Sequence, residues 1–145
     1  MLLAPNNPAD VERIGPEFAN AVLNNLKSLY DYVIVDSPPA FTEVILKTFD
    51  LASACLLLTT LDMPAIKNLR VSMQTLSALG LPPEMCNIVV NRSDAKAGLT
   101  VEDVEVAVGK KIMARIPTSR DVPATTNAGK TIVKEFPKHK VSKEI

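Results

Sequence analysis

Four unbroken apolar runs alternate along this chain with segments whose apolar residues recur at helical spacing, and that alternation restricts the fold more than any other feature. The runs are YVIVD (32–36), ACLLLTT (54–60), NIVVN (87–91) and KIMARI (111–116). Strands buried on both faces lack the apolar–polar alternation of half-exposed strands, so runs of this kind predict a sheet covered on both sides. Between them, residues 10–30 set Phe18, Val22, Leu26 and Leu29 on one stripe, with Gly15-Pro16 marking a break near the start. Residues 64–79 place Ile66, Leu69, Met73 and Leu76 on one face, Pro64 in a first turn and Gly80 at a C-terminal cap. Thr100 followed by Asp103 predicts a capping box opening VEDVEVAVG. Strands alternating with helices give βαβ units and an α/β, doubly wound, mostly parallel sheet.

Nothing divides residues 1–145, so a single domain is expected, with a core of ordinary size. The apolar fraction of 47% and charged fraction of 22% fit a soluble globular chain. Sixteen basic residues cancel sixteen acidic ones, which leaves no bulk field to attract nucleic acid or anionic lipid, so no direct nucleic-acid binding is expected. No apolar run approaches the length of a membrane span and no signal peptide opens the chain, so the expected location is the cytoplasm. Cys55 and Cys86 lie inside apolar runs without CxxC or Cys/His spacing, as small core residues of a reducing compartment do. His139 sits in a charged tail, where solvated surface is expected. At the front, MLLAPNNP has room only for the stub of a strand before Pro5, as if a preceding part were missing.

In doubly wound sheets, ligands bind at the carboxyl ends of the strands. YVIVD ends in Asp36, followed by Ser37, Pro38 and Pro39. A carboxylate there is placed to hold Mg²⁺, directly or through water, beside a nucleotide phosphate; equally, Asp36 opens a turn that two prolines stiffen. NIVVN ends in Asn91, followed by Arg92, Ser93 and Asp94; the Asn amide suits the donor–acceptor edge of adenine, or serves as an ordinary turn residue. KIMARI leads into Pro117, which can wall a base pocket, and Asp121, which can cap the next helix. The string ATTNAGKT (124–131) imitates a phosphate-binding loop but stands in the wrong surroundings. It follows a polar connection rather than a strand, and only IVKEF separates it from Pro137. Gly129 is therefore expected to end a short helix begun near Asp121.

Taken in order, YDYVIVDSPPAF, ACLLLTTLDMPAIKNLRVSMQTLSALG, NIVVNRSD and ARIPTSRDVPATTNAGKTIV resemble the MinD/ParA family of deviant Walker P-loop ATPases, nearest to CpaE/TadZ-like pilus-assembly and septum-site-determining MinD proteins. The resemblance covers nearly the whole chain. It implies a P-loop NTPase-like sheet, incomplete here because the Gly-rich phosphate loop and its strand precede this segment in the family. It implies Asp36 as the Walker B carboxylate near Mg²⁺, acting through water, with Ser37, Pro38 and Pro39 as the γ-phosphate switch. Asn91 and Arg92 would contact adenine, and Pro117 to Asp121 would line the base pocket. ATP or ADP with Mg²⁺ would be the cofactors of the complete protein.

The resemblance further implies a regulatory ATPase that binds ATP-Mg²⁺ at a homodimer interface and switches association with partners or membrane in placing septum or pilus machinery. Partners would be a second copy or a full-length relative, and division or pilus proteins, with peripheral membrane association through them. Without the phosphate-loop lysines this chain alone should be catalytically inactive, because positioning and charge stabilisation supply nearly all phosphoryl-transfer catalysis. Removing the P-loop strand should leave unpaired sheet edges, so the alternative is a non-catalytic half-domain acting as an interaction module. An unrelated receiver-like or flavodoxin-like binding domain is a third reading. KHKVSKEI carries no apolar face of the kind a membrane helix buries.

Overall fold

In a computed structural model, residues 2–3, 5, 7, 11, 13–95 and 98–145 are described. They fall into two compact units, residues 1–53 and 54–145.

Among its described residues the first unit holds two helices, α1 (Pro16–Leu29) and α2 (Glu43–Leu51), packed on each other. The Gly15-Pro16 break is the helix start: Gly15 is the N-cap and Pro16 occupies a first-turn position, where its missing N–H costs nothing. Asp10, where the sequence pattern begins, lies outside the described residues. Val22 and Leu26 of the expected stripe are half-buried, but Phe18 and Leu29 are exposed. Thr42 caps α2 by accepting from Ile45 N–H, and Ile45 is buried. The Lys27 Nζ donates to the Leu51 carbonyl at 2.9 Å, a cation on the last carbonyls of α2. Leu2 and Leu3 are exposed and have no regular structure; the rest of the predicted strand stub is partly outside the described residues.

The most apolar predicted strand is not one. Residues 32–36 carry no ladder pairing, and Tyr32 and Ile34 are 89% and 93% exposed. A β-strand exists by hydrogen bonds to a neighbour, and the described residues of this unit contain no other strand to supply them. Composition specified the propensity, but the pairing partner decides whether it is realised.

The second unit holds a three-stranded parallel sheet in the order β1 (Cys55–Thr59), β2 (Cys86–Asn91), β3 (Ile112–Ile116). Parallel neighbours need a crossover, and α3 (Met63–Ala78) and α4 (Val101–Val108) supply the two. α3 starts where Asp62 accepts from Ala65 N–H at 2.9 Å. It ends in a Schellman motif: Leu81 N–H reaches the Leu76 carbonyl and Gly80 N–H the Ser77 carbonyl, with Gly80 at φ +82°. The predicted Thr100–Asp103 capping box opens α4. α3 and α4 pack together, and Ile66, Leu69, Val101 and Val104 close over Ile88 and Val90 of β2 to form the core. Met73 joins it half-buried.

Three short helices complete the unit: α5 (Asp121–Asn127), α6 (Ile132–Glu135) and α7 (Lys140–Glu144). α7 packs on β3 and buries Val141 to 1% exposure, so one apolar residue within this charged tail is turned into the unit. Among the described residues β2 is paired on both edges and β1 on one, and Leu56 and Leu58 of β1 are 55% and 65% exposed. Among the described residues no helix is long and apolar enough to cross a membrane.

This burial pattern separates two otherwise similar truncations. Ile88→Ala, at a fully buried position, should cost about 2–5 kcal/mol in urea unfolding, whereas Leu56→Ala should cost under about 1 kcal/mol.

Candidate functional site

The carboxyl ends of β2 and β3 lie side by side, because Asn91 and Ile116 are register partners at the ends of their strands. Each strand then enters a polar loop, and the two loops are laced together. Ser93 N–H donates to the Ile116 carbonyl at 3.0 Å, and Thr118 N–H donates to Asp94 Oδ1 at 2.6 Å. The first loop turns sharply. Asn91 Oδ1 accepts from Arg92 N–H at 3.0 Å, Arg92 takes φ +54°, and Ala95 N–H closes the turn on the Arg92 carbonyl. A non-glycine residue holds this left-handed conformation only where its surroundings over-determine it, and the lacing supplies that constraint.

Asp94 is the centre of the lacing. The Thr118 backbone N–H, then the Thr118 side chain, and more weakly the Lys140 ammonium, lower its carboxyl to about 2. The Lys140 Nζ stands 3.6 Å from Asp94 Oδ2. Thr118 lies in the Pro117–Asp121 loop expected to line a base pocket, whereas no role was expected of Asp94 or Lys140. Their contacts span 24 and 46 positions, and local spacing carries no signal for such a pair.

Asp121 does not cap α5 as expected. It is the first helical residue, Arg120 is the N-cap, and Asp121 N–H is instead received by Ser119 Oγ at 3.1 Å. Its carboxylate is directed elsewhere, 3.4 Å from His139 Nε2. His139 is also not the solvated side chain its charged neighbourhood suggested: it is 20% exposed and partnered on both nitrogens. Nδ1 accepts from Val141 N–H at 3.1 Å, capping α7, which places the ring proton on Nε2 facing Asp121 and Ser119 Oγ. A shallow cleft of about 530 Å³ opens here, lined by Asp121, His139 and residues 135–138.

Asn91, Arg92, Pro117 and Asp121 all belong to the second unit, on the two laced loops and the start of α5. Asp36, Ser37, Pro38 and Pro39 belong to the other unit, where all four are exposed and the Ala40 N–H closes a tight turn on the Pro38 carbonyl at 2.8 Å. No cluster of three or more metal-ligating side chains occurs among the described residues.

ATTNAGKT is a helix end. Gly129, at φ +70°, is the left-handed residue of a Schellman motif: its N–H meets the Thr126 carbonyl and Lys130 N–H meets the Thr125 carbonyl, each at 2.9 Å. A phosphate loop presents such amides, at the positive end of a helix, to its ligand. Here they are consumed at the negative end, and Lys130 is paired with Glu135 at 2.9 Å. ATTNAGKT therefore presents no free helix-N-terminal amides of the kind a phosphate loop offers.

No protein-family model matches the chain. A curated relative, the septum site-determining protein MinD of Thermotoga maritima, is 30% identical over 133 residues, which is 88% of this chain and 49% of that protein. Among solved structures, a ParA family ATPase from Chlorobium tepidum superposes with a TM-score of 0.90 at 23% identity, covering 97% of this chain and 59% of the other. MinD of Pyrococcus horikoshii, complexed with Mg-ADP, superposes at 0.78 with 18% identity over 95% of this chain and 56% of the other. MinD of Aquifex aeolicus in its complex with MinC superposes at 0.77 with 25% identity over 90% of this chain and 55% of the other. The chain spans about half the length of the relatives it matches.

The depressed Asp94 carboxyl predicts a defined acid limb. Its folded value of about 2 lies below the usual carboxylate value of about 3.9, so its contribution to stability is complete above about pH 4 and is lost as pH falls through about 2. Asp94→Asn should flatten that part of the profile when urea midpoints are measured from pH 5 to pH 2.

Proposed function

For a chain that is a half-length match to MinD/ParA family ATPases, both in sequence and in fold, we propose the role of the purine-binding, C-terminal half of a MinD-like regulatory ATPase. In the complete protein, ATP with Mg²⁺ joins two subunits, and the nucleotide state switches association with division or pilus partners and, through them, with the membrane. Asn91 and Arg92 contact the adenine, and Pro117 to Asp121 wall its pocket. Asp36 acts on Mg²⁺ through water, with Ser37, Pro38 and Pro39 responding to the γ-phosphate. The Mg-ADP of the P. horikoshii protein and the MinC of the A. aeolicus complex support the classes of cofactor and partner.

One observation carries this reading: two loops leave adjacent parallel strands at their carboxyl ends and are laced by Ser93–Ile116 and Asp94–Thr118 into one surface. That is where a doubly wound sheet binds its ligand. Asn91 has the donor and acceptor that an adenine edge requires. Catalysis does not follow from this chain alone, because phosphoryl transfer depends on charges around the phosphates that its described residues do not gather. Adding millimolar ATP or adenosine to the 145-residue protein should shift the backbone amide resonances of Asn91, Arg92 and Thr118 to Asp121, and Asn91→Ala should abolish the shifts. Shifts confined elsewhere, or none, would sink the reading. Mg²⁺-dependent ATP hydrolysis by the same protein should not rise above background; turnover that disappears in Asp36→Ala would overturn that expectation.

A second reading, an interaction module that pairs with another copy of itself, is favoured by the open edge of β1 and the exposed Leu56 and Leu58 beside it. Sedimentation should then show concentration-dependent association that Leu58→Lys weakens. A monomer at every concentration argues against it.

A further inference from the structure

Cys55 and Cys86 are the first residues of β1 and β2, and they are register partners across the ladder. Adjacent strands run about 4.8 Å apart, and paired Cα atoms at that spacing fall within the roughly 4.4–6.8 Å that a disulfide spans. Alternation along each strand sends both side chains to one face. From Cys55 and Cys86 the inward positions continue through Leu57 on β1 and through Ile88 and Val90 on β2, which belong to or pack on the core. Their accessibility differs. Cys55 is half-buried on the edge strand, while Cys86 is only 4% exposed on the central strand.

We infer that Cys55 and Cys86 form a dithiol that a two-electron thiol oxidant closes into a disulfide, fastening the edge strand to the centre of the sheet. With glutathione disulfide as oxidant, the Cys55 thiolate attacks one glutathione sulfur and releases the first glutathione. The Cys86 thiolate then attacks the Cys55 sulfur of this mixed disulfide, forming the Cys55–Cys86 bond and releasing the second glutathione. The protein gives up two hydrogen atoms in total, and the oxidant is reduced to two glutathione molecules. Cys55 reacts first because the oxidant reaches it at the edge, and Cys86 is the resolving thiol because the register holds it opposite. Burial pushes both thiols up, Cys55 further through its neighbour Cys86, while the Lys110 ammonium pulls Cys86 partly back. Exchange is consequently slow at neutral pH and accelerates as pH rises.

The test is exposure of the native protein to glutathione disulfide at mildly alkaline pH, followed by non-reducing intact mass and peptide mapping. The expected product is monomeric, two hydrogens lighter, cross-linked between Cys55 and Cys86 and restored by dithiothreitol. Hydrogen exchange of the β1 amides should slow several-fold in the oxidised form, and Cys55→Ala should remove both effects. Cys86→Ala should stop at a single glutathione adduct on Cys55. If that buried variant does not fold, the Cys55→Ala comparison, on the edge strand, still decides the matter. Two thiols that stay free under conditions that oxidise the urea-unfolded chain, a stable glutathione adduct on Cys55 beside a free Cys86, or bridges only between chains would each overturn the inference.

Discussion

The central strand β2 organises the second unit, because among the described strands it is the one hydrogen-bonded along both edges. Its inward residues Ile88 and Val90 have no exposed surface, and the crossover helices α3 and α4 are held against them by Ile66, Leu69, Val101 and Val104. The same strand sets the position of the candidate site, since Asn91 at its carboxyl end is paired with Ile116 at the end of β3. It also sets Cys86 opposite Cys55 at the other end. One ladder therefore determines what meets at each rim of the sheet.

Beyond the ladder, order in the loops comes from side chains that reach across the sequence. Asp94 receives the Thr118 amide, Ser119 receives the Asp121 amide, and His139 receives the Val141 amide while facing Asp121. Each satisfies a backbone N–H that a loop or helix start would otherwise leave without an intrahelical or ladder partner. The tight turn at Arg92 is tolerable in this setting because both flanks are anchored. A binding site gains from such rigidity, since its groups need not be ordered when a ligand arrives.

The elements of this fold were legible to different degrees. Three of the four apolar runs are strands within a residue or so of the expected limits, and the Thr100 capping box and the Gly80 and Gly129 helix ends lie where local chemistry put them. These features depend on neighbours within a few positions. YVIVD failed for the opposite reason: its sequence is strongly strand-like, yet a strand is a relation between two segments and the described residues of its unit provide no second one. Asn91, Arg92, Pro117 and Asp121 could be nominated because strand ends can be read from periodicity. Asp94 and His139 could not, because nothing local distinguishes a carboxylate or an imidazole in a polar loop from a solvated one.

By itself, then, the sequence determined the alternation of strands and amphipathic helices in the second unit, the caps and the places where strands end, all of which follow from side-chain spacing and local hydrogen bonding. Tertiary structure alone decided which apolar run became a strand, which carboxylate laces the two loops, where the imidazole points, and which cysteine faces which. Those outcomes depend on register and on contacts between distant segments, where the physical driving force belongs to the pair rather than to either stretch of chain.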